Sequence, residues 1–411
     1  MNIAIATTEF VNENNFHGGL ANYTYKLAKW LVLNDNTVTV FLPVNSNQQE
    51  QTIDYEGITL IKVPITDNQW HYKYKFEKLG LSFLMNKKKY YRMYFEELSK
   101  CMNASILKQH RFSKFHIVQY PNNGGMAFDC PTQIPSIIRL SGLTAKSHEY
   151  GGYGNTDISV FEQEKFEAKG LMKASAIFCP SKMTIEITKK TVNRKFELIE
   201  TPFIKPALTL DDSIYKRHWQ NKTYILFFGS IGIIKGIGTI AEIIFDLLEQ
   251  QPNLHFVFVG KKLSNQINNM PIWDYLIDKA RQHQNRIIHL EPLKHHQLFP
   301  IIQHAECVVL PSRIDNFPNT CIEAMANSKI VIGTVGNGFD QLIDDEKSGF
   351  VIPVDDSLAL LKTITHVLNL SVTEKKIIEL AAKQRTDLLH PDIVLNQVVD
   401  LYKQTIANFK N

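Results

Sequence analysis

No stretch of this sequence is apolar for long enough to cross a membrane as a helix, which takes roughly 18 or more apolar residues. The longest such run, 224–234, is interrupted by Gly229, Ser230 and Gly232. Cysteine is scarce. The residues at 101, 130, 179, 307 and 321 are odd in number and include no Cys-x-x-Cys pair. That excludes a disulfide-stapled miniprotein, and the simplest expectation is reduced thiols in a cytosolic chain. An excess of one charge is also lacking, since 45 Lys and Arg face 41 Asp and Glu in 411 residues. With 44% apolar residues and no low-complexity tract, a disordered or collagen-like chain is excluded. The opening residues, MNIAIATTEF, have no basic start and turn polar at Thr7, so they are expected to form a strand and not a secretion signal.

What is present is a regular alternation. Short β-rich apolar runs at 2–7, 38–44, 58–63, 115–120, 136–140, 176–181 and 197–201 are separated by longer segments, several of helical period. A second series follows at 224–230, 255–260, 286–290, 307–312, 330–334 and 349–353. Continuous apolar runs between helices predict parallel strands buried on both faces. Two such series predict an α/β chain of two doubly wound, Rossmann-like domains. The expected divisions are 1–205, 206–370 and a helical segment 371–411, with 203–220 as an irregular boundary. Residues 1–205 carry a formal charge of +6 and residues 206–411 one of −2. Neither value is basic enough to suggest a nucleic-acid partner.

Two constellations carry chemistry. After the run 224–228 comes GSIGIIKG, 229–236, then an amphipathic helix with Ile240, Ile243, Ile244, Leu247 and Leu248. Glycines 229, 232 and 236 let backbone N–H groups approach an anion, and the helix dipole and Lys235 add positive charge. The same residues also suit an ordinary strand–helix turn with a surface lysine, and the Gly-Lys-Ser/Thr of a P-loop is missing. The second is SRIDNFPNTCIEAMA, 312–326. Pro318 and Asn319 read as a helix start, which places Glu323 on the helix and Asp315 in the loop above the strand ends. Carboxylates at the carboxyl edge of a parallel sheet suit sugar hydroxyls, and the N–H groups of Asn319 and Thr320 suit an anion. A capped helix with a solvated glutamate is the plainer reading.

The stretch 308–356 resembles the donor-site signature of the family 4 retaining glycosyltransferases of GT-B architecture, in which an acidic residue stands eight positions before a Glu followed by Ala-Met-Ala. The 229–236 loop is similar to that family's Gly-Arg-Leu then Lys-Gly motif, and Gly18 and Gly19 resemble its N-terminal Gly-Gly loop. The resemblance implies a GT-B fold with two domains facing across a cleft. It implies metal-independent transfer of a sugar from a nucleoside-diphosphate donor to a hydroxyl of a glycan or lipid-linked glycan acceptor, with no other cofactor. The setting it implies is surface-polysaccharide assembly in the cytoplasm. Lys235 would neutralise the diphosphate, Asp315 would meet the donor sugar, and Glu323 would hold the ribose. Phe317, Pro318, Asn319 and Thr320 would line the sugar and phosphate with backbone groups. Gly18, Gly19, Gly229 and Ser230 would border the diphosphate. Base contacts would come from 260–262 and 291–293.

Three positions depart from the pattern. Asp315 replaces the usual Glu, Ser230 the phosphate-binding Arg, and Ser141 the N-domain His. Arg139, Lys146 or His148 could compensate for the last, although His148 also reads as an ordinary loop residue. Those departures keep two alternatives open, a non-catalytic partner subunit and a nucleotide-sugar isomerase. Residues 69–96 interleave Lys and Arg with aromatics, which fits either a peripheral contact with anionic lipid at the inner membrane face or a helix with a solvated basic face and a buried aromatic one. The loop 121–125, PNNGG, is a candidate acceptor contact.

Overall fold

The computed structural model describes residues 1–11, 19–66, 68–79, 84–151, 157–206 and 208–409. The chain forms two units. The first comprises residues 1–148, 155–202 and 391–411, the second 149–154 and 203–390.

The first unit is built on an eight-stranded sheet: β1 (Asn2–Ala6), β2 (Thr37–Val44), β3 (Gln51–Tyr55), β4 (Ile58–Pro64), β5 (Ile117–Pro121), β6 (Ser136–Arg139), β7 (Ala176–Cys179) and β8 (Glu197–Leu198). The order across the sheet is β3-β4-β2-β1-β5-β6-β7-β8, and every pairing is parallel except β3 with β4. Successive side chains of a strand point to opposite faces, and β1 shows the consequence. Ala4 and Ala6 enter one core cluster, with Leu98, Met102 and Leu171. Ile3 and Ile5 enter another, with Leu27, Leu31, Val394 and Leu395. Each face is therefore covered by helices, and this is why the strands are apolar without alternation.

The second unit holds β9 (Thr223–Phe228), β10 (Leu254–Val259), a small hairpin of β11 (Gln266–Ile267) and β12 (Met270–Pro271), then β13 (Ile287–Leu290), β14 (Val308–Val309), β15 (Val331–Thr334) and β16 (Phe350–Ile352). Apart from the hairpin these form a parallel sheet in the order β13-β10-β9-β14-β15-β16.

Every expected apolar run contains a strand. The structure adds three strands that the pattern does not show. β3 is an exposed edge, and the hairpin lies outside the main sheet, so neither needs an apolar run. The turn from β3 to β4 places Glu56 and Gly57 at φ 56° and 83°, the left-handed pair that a tight two-residue hairpin loop requires. The boundary stretch is also less irregular than expected. Residues Ser213–Trp219 are helical, and Trp219 is buried beside Tyr224.

The expected helical segment 371–411 is not one piece. Helix Val372–Asp387 belongs to the second unit, where Ile378, Ala382 and the following Leu389 enter the core. Helix Pro391–Asn408 belongs to the first. There Trp30 Nε1 donates to Asp392 Oδ1 at 2.8 Å and the buried Tyr402 hydroxyl donates to Gln119 Oε1 at 2.6 Å. An apolar stripe shows that a helix packs, and not which sheet it packs on. Among the described residues no helix is long and apolar enough to cross a membrane, and all five cysteines are free.

Candidate functional site

In each sheet the connections leave in opposite directions from two neighbouring strands, β1 and β5 in the first and β9 and β14 in the second. The loops that follow such a pair part at the carboxyl edge and leave a crevice there. Both sequence constellations fall at the β9–β14 position.

The loop after β9 is held by glycine. Gly260, at the end of β10, has φ 149°, and a Cβ there would lie 1.9 Å from the Gly229 carbonyl oxygen. Gly236 has φ 76° and begins helix Ile237–Gln250. A Cβ on it would lie 1.8 Å from the Pro311 carbonyl oxygen, so the helix start presses directly on the chain leaving β14. The two loops are then tied together. The Arg313 N–H donates to the Ile234 carbonyl at 2.8 Å. Lys235 Nζ meets Asp315 Oδ2 at 2.5 Å, an ion pair whose side chains are 32% and 17% exposed. The cation and the carboxylate that the sequence points to are thus each other's partner.

Beneath them lies a buried polar brace. Thr334 Oγ1 donates to the Ser312 carbonyl at 2.6 Å, Asn337 Nδ2 donates to Thr334 Oγ1 at 2.7 Å, and the Phe339 N–H donates to Asn337 Oδ1 at 3.1 Å. The Gly338 N–H donates to the Asp315 carbonyl at 2.9 Å. These bonds set the backbone of the Asp315 loop, and nothing in the local sequence announced Asn337. Helix Asn319–Ala326 follows, with Pro318 at its N-cap and no side chain capping its first N–H groups. An uncapped N-terminus carries partial positive charge. Asn319, Thr320 and Glu323 are half-buried, whereas the Phe317 side chain is buried in the core. Any contact of Phe317 with a ligand is therefore a backbone contact. Glu323 Oε1 lies 3.4 Å from His295 Nε2, a neighbour that sequence reasoning missed. Gly229 is half-buried and Ser230 exposed. Gly19 begins helix Gly19–Leu33, and Gly18 lies outside the described residues.

In the first unit, Arg139 is turned inward. Its Nη1 donates to Ser141 Oγ and its Nη2 to Thr201 Oγ1, both at 2.9 Å, and its guanidinium lies 3.8 Å from the Tyr23 ring centre. Burial lowers its pKa, with no carboxylate among the listed causes to oppose it. His148 is 3.5 Å from Asp157. The 121–125 loop turns at Gly124 and Gly125, with φ 78° and 63°. Beside it the buried Glu167 accepts from Asn122 Nδ2 at 3.1 Å, Gln163 Nε2 at 2.7 Å and Thr144 Oγ1 at 3.2 Å. Burial pushes its carboxyl up to about 7. Residues 69–96 lie in two helices, Asn68–Lys78 and Lys87–Phe112, with 80–83 outside the described residues. Lys87, Lys88 and Lys89 are exposed and Phe95 is buried. Among the described residues no three His, Cys, Asp or Glu side chains group to hold a metal.

Two parallel sheets of this topology, the second with a cation and two carboxylates at its switch point, define the class of nucleotide-dependent GT-B proteins. Residues 213–384 match the family described as glycosyl transferases group 1. Through this segment the chain belongs to the group 1 glycosyltransferases, and its fold is GT-B. The fold is similar to that of sucrose-phosphate synthase from Thermosynechococcus elongatus, with a TM-score of 0.77 and 16% identity over 99% of both chains. It is similar also to HepE from Anabaena in complex with UDP, with a TM-score of 0.69 and 13% identity over 98% of this chain and 100% of the other. An uncharacterized glycosyltransferase of Bacillus subtilis, YqgM, is 21% identical over 189 residues, 46% of this chain. The match spans about half, 51%, of that curated relative.

Proposed function

We propose that this protein transfers a glycosyl group from a nucleoside-diphosphate sugar to a hydroxyl of a glycan or lipid-linked glycan acceptor, with retention at the anomeric carbon. The observation that carries this reading is the Lys235–Asp315 ion pair at the β9–β14 switch point, with Glu323 on the next helix. When the donor binds, Lys235 exchanges Asp315 for the diphosphate. Asp315 then accepts a hydrogen bond from a donor-sugar hydroxyl, and Glu323 accepts from the ribose. In transfer the bond from the anomeric carbon to the diphosphate oxygen breaks and a bond to the acceptor oxygen forms. The acceptor proton passes to the leaving phosphate. Lys235 and the helix N-termini stabilise the charge that develops there, and no metal is required for that role. HepE is described with UDP, which makes UDP the first nucleotide to test.

The two carboxylates should separate in function. Glu323→Gln should weaken UDP binding by about 1–3 kcal/mol even with no sugar attached, because a ribose partner is lost. Asp315→Asn should bind UDP at least as tightly as the unaltered protein, since it frees Lys235, and should lower kcat/KM for transfer by a similar amount. Equal weakening of UDP binding by both changes, read by calorimetry, would overturn the division of roles. Turnover of a nucleotide-sugar panel separates this reading from its rivals. A partner subunit would bind without turnover, and an isomerase would return a different nucleotide sugar.

Peripheral membrane contact through residues 69–96 belongs to the same proposal. It is supported by the exposed Lys87, Lys88 and Lys89. Sedimentation with anionic vesicles should decline at high salt and vanish on Lys→Glu replacement of all three. Equal recovery in the supernatant with and without vesicles would exclude it.

A further inference from the structure

The carboxyl edge of the first sheet holds a cavity of about 410 Å³ at the β1–β5 switch point. That volume is in the range of small-molecule sites. One wall is the start of helix Lys87–Phe112, where Tyr91, Tyr94, Phe95 and Leu98 follow the i, i+3, i+4, i+7 spacing that places them on one face. Facing them are Thr8 and Glu9 from the chain after β1, Asn123 and Gly124 from the loop after β5, and Gln163 from helix Ile158–Lys173.

The polar groups of this lining share one character. Gln163 donates its amide N–H groups to Asn123 Oδ1 at 2.7 Å, Glu167 Oε1 at 2.7 Å and Thr144 Oγ1 at 3.2 Å. Its carbonyl oxygen therefore points elsewhere as an acceptor. Thr8 Oγ1 is buried and has no hydrogen-bond partner among the described residues. Glu9 is exposed and is the one charged residue of the lining, and among the described residues no Lys, Arg or His lines the cavity. A phosphate or carboxylate ligand would meet a negative group there and no cation. A neutral sugar fits on both counts. Its hydroxyls donate to acceptor atoms, and the C–H groups of one ring face carry partial positive charge toward the negative face of a tyrosine ring. Tyr94 is 38% exposed, so its ring is open to such a ligand.

We infer that this cavity binds an uncharged saccharide, stacked on Tyr91 and Tyr94 and hydrogen-bonded by Thr8, Glu9 and Gln163, and that this saccharide is the acceptor. The word acceptor rests on the transferase reading above, whereas the neutral-sugar chemistry rests on the cavity alone. Buried Glu167 acts one step behind as a positioning residue, holding the Gln163 amide so that its carbonyl faces the ligand.

Saturation-transfer NMR on the full chain tests this. The probes are the methyl glycosides of glucose, galactose, mannose, rhamnose and N-acetylglucosamine, set against glucose 6-phosphate and mannose 6-phosphate. At least one methyl glycoside should bind, and the sugar phosphates should bind roughly tenfold more weakly or not at all. Tyr94→Ala should weaken the bound glycoside by roughly tenfold, and Tyr94→Phe should retain it, because the stacking face is kept. Thermal melting confirms that each variant is folded, with Tyr91→Ala as the second stacking variant should Tyr94→Ala fail to fold. Sugar phosphates binding as well as the glycosides, no glycoside binding, or folded Tyr→Ala variants with unchanged binding would each overturn the inference. UDP calorimetry on the same samples keeps the two readings apart. UDP binding without glycoside binding removes this inference and leaves the transferase standing. Glycoside binding without UDP binding does the reverse.

Discussion

Replacing Lys235 with alanine should weaken UDP binding by roughly 10- to 100-fold and leave uridine binding nearly unchanged, because a charge-assisted hydrogen bond contributes about 1.5–3 kcal/mol. The ion pair sharpens the expectation. Lys235 lies 2.5 Å from Asp315, so its removal also leaves an uncompensated carboxylate beside the diphosphate. Repulsion from that carboxylate adds to the loss. The double variant Lys235→Ala with Asp315→Asn should therefore bind UDP more tightly than Lys235→Ala alone. Residues in contact are expected to couple in this way. Calorimetry reads all of these. An equal loss for UDP and uridine would point to a damaged fold or a phosphate held elsewhere. Strict additivity of the two changes would show that the carboxylate does not face the phosphate.

Gly236→Ala should lower stability by about 2–5 kcal/mol, combining left-handed backbone strain with overpacking. Its Cβ would sit 1.8 Å from the Pro311 carbonyl oxygen and 2.6 Å from the Pro311 carbonyl carbon, atoms that cannot rotate aside. Helix Ile237–Gln250 would have to move away from the chain after β14, and Lys235 would move with it. UDP affinity should then fall even in protein that remains folded. Gly336→Ala is the control. It has nearly the same φ, 77°, but nothing lies within 4 Å of its Cβ, so it should cost only the backbone strain, about 1–2 kcal/mol. Urea unfolding compares the two. Equal midpoints would show that the contact with Pro311 is loose.

Legibility in the sequence followed burial. β1, β9 and β10 are covered on both faces, so their residues must be apolar and the runs show as strands. β3 and the β11–β12 hairpin are partly exposed, carry no such demand, and were invisible. The same rule applies at the site. The glycines at 229, 232 and 236, Lys235, Asp315 and Glu323 stand close together in the chain or at fixed spacing, because each loop follows its own strand. Their position at one sheet edge follows from strand order, and parallel α/β connections allow few orders.

The sequence by itself therefore determined the two α/β units, the position of their strands and the residues of the donor-side loops. Each of these is written in a local pattern of a few consecutive residues. Only the tertiary structure decided that Lys235 and Asp315 pair across 80 residues, that Asn337 braces their loop, and that the last helix returns to the first unit. It alone brought Thr8, Tyr94 and Gln163 to one cavity. Contacts between distant segments leave no trace in spacing, since a side chain that will meet a partner far along the chain obeys only the burial of its own element.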